Sequence, residues 1–194
     1  PLAQAARSPM RLLVVGSSTG GPKALHQFLQ DLPPSLPVPV VIAQHMPADF
    51  TRVLARRLDE SCKLNVREVT DGERLVPGTV YVAPGGKHLR VVGGVAQVAD
   101  NKGESPYSPS VNVLGDSVLQ AYQGQALAVM LTGMGDDGAR AFKALYDAGA
   151  YVIAQDRDSC VVYGMPRVLV ESGGATEVLA LRQMAERVRQ LLNV

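Results

Sequence analysis

From residue 11 to the end of the chain, short unbroken apolar runs alternate with segments whose apolar residues recur every three or four positions. The runs at 12–15 (LLVV), 38–43 (VPVVIA), 126–131 (ALAVML), 151–154 (YVIA) and 177–180 (EVLA) show no apolar/polar alternation. A strand covered on both faces has no wet side, so these runs predict buried parallel strands. Helical spacing falls between them: Leu25, Phe28, Leu29 and Leu32; Phe50, Val53, Leu54 and Leu58; Val113, Leu114, Val118 and Leu119; and the closing LRQMAERVRQLL. The punctuation agrees. Pro22 and Pro166 suit first helical turns, Ser110 suits an N-cap, Asp136 or Asp137 opens a helix through Leu145, and Gly149 ends it.

The middle of the chain reads differently. Residues 64–69, 79–83, 88–92 and 95–99 are strand-like, with Gly93-Gly94 as a two-residue hairpin turn. They predict an antiparallel excursion at one sheet edge, followed by a polar loop at 101–109. The fold class expected is therefore α/β: a doubly wound, mostly parallel sheet with helices on both faces and that hairpin excursion. Residues 1–10 (PLAQAARSPM) carry no such pattern and read as a linker or tail, which leaves 11–194 as the folded domain.

Charge narrows the partners. Nineteen basic residues against eighteen acidic ones leave no excess for nucleic acid or an anionic membrane, either of which needs a clustered basic surface. The densest basic cluster, Arg52, Arg56 and Arg57, lies on the outside of a predicted helix. No apolar run approaches the roughly 18 residues of a membrane span, and the opening segment lacks the apolar core of a signal peptide. Cys62 and Cys160, the only cysteines, lie far apart and have no metal-ligand spacing; no disulfide framework is expected, and a reducing cytoplasm is the expected compartment.

Open α/β sheets bind ligands beyond the carboxyl ends of their strands. A serine, a histidine and an acid each stand at such an end. Gly16-Ser17-Ser18-Thr19-Gly20 fits G-x-S-x-G with Ser18 at its centre, between a strand and a helix. A turn of that kind lifts the serine hydroxyl above the sheet and aims the next backbone N–H at a developing oxyanion. The loop matches neither G-x-G-x-x-G nor G-x-x-x-x-G-K-[ST], which ranks dinucleotide binding second. A serine hydroxyl needs a base. Of the three histidines, His26 lies beside a helical stripe, His88 starts a hairpin strand after Pro-Gly-Gly-Lys, where a turn role is expected, and only His45 ends a central strand. The base needs an orienting carboxylate in turn. Asp136 and Asp137 both qualify by position; one is expected to cap a helix and the other to face the site. Cys160 is the rival nucleophile, with no activating motif around it.

Six stretches, GSSTGGPKAL, AQHMPADFT, DGERLVPGTVYVAPGGKH, PSVNVL, LTGMGDDGA and SCVVYGMPR, occur in that order. Together they resemble the catalytic domain of the bacterial chemotaxis protein-glutamate methylesterases (CheB type), over nearly the whole chain from Leu12. The resemblance implies Ser18 as nucleophile, His45 as base and Asp137, rather than Asp136, as acid. It also implies a backbone N–H at Met134 for the oxyanion, with Thr19 beside the nucleophile. The activity implied is hydrolysis of γ-glutamyl methyl esters on the cytoplasmic region of chemoreceptors, releasing methanol, with deamidation of receptor glutamines as a second activity. No metal or organic cofactor is implied, and full-length members usually carry a receiver domain ahead of the catalytic one. The chain departs from the common pattern at Ser17 (alanine), Asp136 (asparagine) and Tyr107-Ser108 (a His-Arg pair). The carboxylate of Asp136 bears on the charge beside Asp137, and the Tyr107-Ser108 departure on substrate docking.

Overall fold

The computed structural model describes residues 9–194; residues 1–8, most of the expected linker, lie outside the described residues. Seven parallel strands form one sheet in the order β3-β4-β2-β1-β7-β8-β9. They are β1 (Leu12–Ser17), β2 (Val40–Gln44), β3 (Asn65–Glu68), β4 (Thr79–Val82), β7 (Ala126–Met130), β8 (Tyr151–Gln155) and β9 (Glu177–Leu179). The helices are α1 (Gly21–Gln30), α2 (Phe50–Ser61), α3 (Val111–Tyr122), α4 (Ala139–Asp147), α5 (Met165–Glu171) and α6 (Leu181–Leu192). Alternate residues of the strands β1, β2, β4, β7 and β8 feed opposite cores. Leu13 and Val15 of β1 pack with α1, α2 and α6, while Leu12 and Val14 pack with α3, α4 and α5. Both faces are therefore apolar, which is why the strands read as unbroken runs. The chain leaves β1 for β2 on one side and returns to β7 on the other, so a crevice opens at the carboxyl end of β1.

The antiparallel hairpin is present as β5 (Lys87–Val92) and β6 (Val95–Asp100), turning at Gly93-Gly94, and it forms a separate two-stranded ribbon. The other two strands of the middle region do not join it. β3 and β4 pair parallel with each other and extend the main sheet beyond β2.

Three local expectations are corrected. On α2 the buried face is Thr51, Leu54, Ala55 and Leu58, whereas Phe50 and Val53 point outward. The cause is polar: Thr51 Oγ1 donates to Glu68 Oε2 (2.6 Å) and accepts from the Gly85 N–H (2.8 Å), which turns that side of the helix inward. Neither Asp136 nor Asp137 caps α4; Gly138, with φ at +91°, takes that position. His88, expected at a turn, is fully enclosed on β5.

Candidate active site

The crevice is held together first by glutamine. Gln44 ends β2 and is buried; its Oε1 accepts from Ser17 Oγ (2.6 Å), and its Nε2 donates to the carbonyls of Ser18 (2.9 Å) and His45 (3.0 Å). One amide thus ties the loop after β1 to the loop after β2. The departure at Ser17 is explained here: its extra hydroxyl supplies the donor for Gln44 Oε1. β8 repeats the device with the same I-A-Q ending. Gln155 Oε1 accepts from the Thr132 N–H (2.8 Å), and its Nε2 donates to Ser159 O (2.8 Å). Thr132 in turn receives Ser18 N–H at its carbonyl and donates from Oγ1 to Thr19 O (3.0 Å each).

Gly21 is required by this arrangement, since a Cβ there would lie 1.8 Å from Gln44 Oε1. That oxygen ends a long side chain, but a buried one already committed to both loops. Gly21→Ala should therefore cost about 1–3 kcal/mol of stability, as overpacking does, together with most of the activity. Urea unfolding and turnover of the purified variant check both.

His45 and Asp137 meet at the carboxyl end of the sheet, Nε2 to Oδ2 at 2.7 Å. The carboxylate is buried and accepts three further hydrogen bonds: Ser110 Oγ (2.9 Å) and Asn112 N–H (3.0 Å) at Oδ1, and Val111 N–H (2.6 Å) at Oδ2. Asp137 therefore caps a helix after all, but α3 rather than its own. Gly138 permits this, because a Cβ there would strike Val111 Cγ1 at 2.4 Å. Burial alone pushes the Asp137 carboxyl up, but the bonds from His45, Asn112, Val111 and Ser110 outweigh it and hold the group below the usual carboxylate range.

A carboxylate only accepts, so His45 Nε2 is the donor in this bond, and in the neutral imidazole Nδ1 is then the acceptor. The two ring nitrogens are exchanged relative to the familiar serine-protease arrangement, in which Nδ1 faces the acid. Ser18 sits half-buried on the adjacent strand end, where His45 N–H donates to Ser17 O (3.1 Å). Ser18 Oγ makes no hydrogen bond to His45 or to any other described residue. Thr19 and Met134 are exposed on either side, and among the described residues neither backbone N–H finds an acceptor. Asp136 is exposed and outside the His45–Asp137 pair. Burial pushes the Cys160 thiol up to about 11, which leaves it protonated and unreactive near neutrality.

Gln44, Thr132, Ser110 and Tyr107 complete the site although no motif announced such roles. Ser110 was legible only as a cap, and it does accept from Val113 N–H (3.3 Å). The Tyr107 ring stacks on His45. The repeated I-A-Q strand ending is the one sequence signal for the glutamines.

A family model described as CheB methylesterase matches residues 13–188. The protein-glutamate methylesterase/protein-glutamine glutaminase of Treponema denticola is 44% identical over 194 residues, covering 98% of this chain and 52% of that protein. That of Symbiobacterium thermophilum is 46% identical over 184 residues, covering 94% and 51%. The chain thus spans about half the length of the curated relatives it matches. The crystal structure of the Thermotoga maritima CheB methylesterase catalytic domain superposes with a TM-score of 0.87 at 38% identity, covering 96% of this chain and 99% of that one. Agreement of family model, relatives and fold over the same residues places this chain in the CheB methylesterase family.

Proposed function

We propose that this chain hydrolyses γ-glutamyl methyl esters on bacterial chemoreceptors, releasing methanol, with Ser18 as nucleophile, His45 as base and Asp137 as the orienting acid. The observation that carries the reading is the 2.7 Å bond from His45 Nε2 to Asp137, at the strand end beside Ser18. It leaves Nδ1 to take the serine proton. Ser18 Oγ then attacks the ester carbonyl, and the N–H groups of Thr19 and Met134 stabilise the oxyanion. His45 returns the proton to the departing methoxide, and water hydrolyses the glutamyl-enzyme by the same route. Asp137 keeps the imidazole in the required tautomer and offsets its transient positive charge.

A receptor glutamine fits the same cycle with ammonia as the leaving group, in keeping with the glutaminase in the relatives' names. The substrate is a cytoplasmic helical region, so the chain works in the cytoplasm; no helix among the described residues is long and apolar enough to cross a membrane. Residues 11–194 are the catalytic domain in this reading, and a receiver domain is its regulatory partner.

The test is methanol release from methylated receptor membranes, run beside labelling by a small fluorophosphonate. Methanol release with the label on Ser18 is expected. Labelling without methanol would move the substrate elsewhere, and an unlabelled Ser18 would remove it as nucleophile.

A further inference from the structure

Tyr107, in the loop ahead of α3, is half-buried, and its ring faces another side chain rather than solvent alone. It lies parallel to the His45 imidazole, with centroids 4.4 Å apart and an interplanar angle of 6°. The loop that presents it is anchored on both sides. Asn101 Oδ1 accepts from the N–H groups of Gly103 and Glu104 (3.1 Å each), and Asn101 Nδ2 donates to Ser105 O (2.7 Å). Ser105 Oγ accepts from Tyr107 N–H (3.1 Å), and Ser108 O accepts from Gly86 N–H (3.0 Å). At the far tip, a Cβ on Gly135 would lie 2.8 Å from the Tyr107 hydroxyl, so the ring spans from the imidazole to the loop between Met134 and Asp137. Among the described residues, Asp137 and Tyr107 are the ionisable side chains in hydrogen-bond or ring contact with the His45 ring.

These two contacts do different work. The bond to Asp137 pins one ring atom but leaves the imidazole free to tilt about that point. A flat face 4.4 Å away removes the tilt and sets the direction of Nδ1. The same face is the negative side of an aromatic quadrupole, and its attraction for a ring grows when that ring becomes cationic.

We propose that Tyr107 is a positioning residue for His45: its ring holds the imidazole plane and favours the imidazolium formed as Ser18 gives up its proton. This rests on the assignment of His45 as base. The role belongs to the ring face rather than the hydroxyl, for which the described residues provide no hydrogen-bond partner. It also does not require the receptor, which gives the idea a clean test.

Tyr107→Phe and Tyr107→Leu are compared in two assays, methanol release from methylated receptor and the rate of Ser18 phosphonylation by a small fluorophosphonate. Tyr107→Phe should stay within about twofold in both, and Tyr107→Leu should lose about tenfold in kcat and in phosphonylation rate, with KM for receptor little changed. Should the leucine variant fail to fold, Tyr107→Met, unbranched and better able to follow the cavity, is expected to show the same loss. Normal phosphonylation with a raised KM in the ring-free variants would make Tyr107 a receptor contact and overturn the proposal. So would a loss in Tyr107→Phe as large as in Tyr107→Leu. If wild-type protein releases no methanol, the substrate assignment fails, yet the phosphonylation rates still decide the role of Tyr107.

Discussion

Ser18→Ala should lower methanol release by about 10⁶-fold, the scale seen when a triad nucleophile is removed, while leaving stability within roughly 0.5 kcal/mol of wild type. The second half follows from the hydroxyl's surroundings: it is half-buried and bonded to none of the described residues, so its loss strands nothing. Ser17→Ala should behave in the opposite way. Its Oγ is the donor to the buried Gln44 Oε1, and removing it leaves that oxygen unsatisfied at a cost of about 1–3 kcal/mol, with turnover falling only a few-fold. Rate and unfolding measurements on the two neighbours therefore separate nucleophile from scaffold. Substantial turnover by Ser18→Ala would sink the mechanism outright.

Asp137→Asn should cost about 10⁴-fold in turnover and about 2 kcal/mol in stability. The four partners explain why an amide of nearly the same shape fails. With its nitrogen in place of Oδ2, it faces the Val111 N–H and forces His45 into the wrong tautomer; in place of Oδ1, it faces the Asn112 N–H. Either orientation opposes two donors, and neither supplies the negative charge that the imidazolium needs. The stability cost has a pH signature. A carboxyl held below its ordinary range adds stability that is fully present above the unfolded value, near 4, and is lost as pH falls through the folded value. The gap between wild type and Asp137→Asn should thus be flat from about pH 5 to 8 and close below about pH 4. Urea unfolding across that range measures it. A variant that keeps its turnover within a few-fold would make Asp137 a cap of α3 and nothing more.

The double duty of Asp137 shows how the site and the fold share their energetics. Four donors converge on one buried carboxylate, three of them from the start of α3 and one from His45. The helix N-terminus stabilises the charge, and the charge holds the histidine.

Much of this was legible in the residues alone. Strands buried on both faces must be apolar throughout, so β1, β2, β7 and β8 were visible as runs, and parallel strands placed Ser18 and His45 at a common end of the sheet. The G-x-S-x-G turn, the cap at Ser110 and the Gly93-Gly94 hairpin are local devices, set by backbone conformations that few residues adopt. What depended on distant contacts was not visible. The face of α2 was decided by Thr51 reaching Glu68 and Gly85, against a simple count of apolar residues. β3 and β4 joined the parallel sheet because their pairing partners lie across the fold, and short strands carry no mark of direction. Position along the chain left Asp136 and Asp137 equal, and only the resemblance favoured Asp137. Only the packing of Gly138 against Val111 turns one of them beneath α3 to meet His45, because hydrogen bonds between groups 92 residues apart exist only once the sheet has closed.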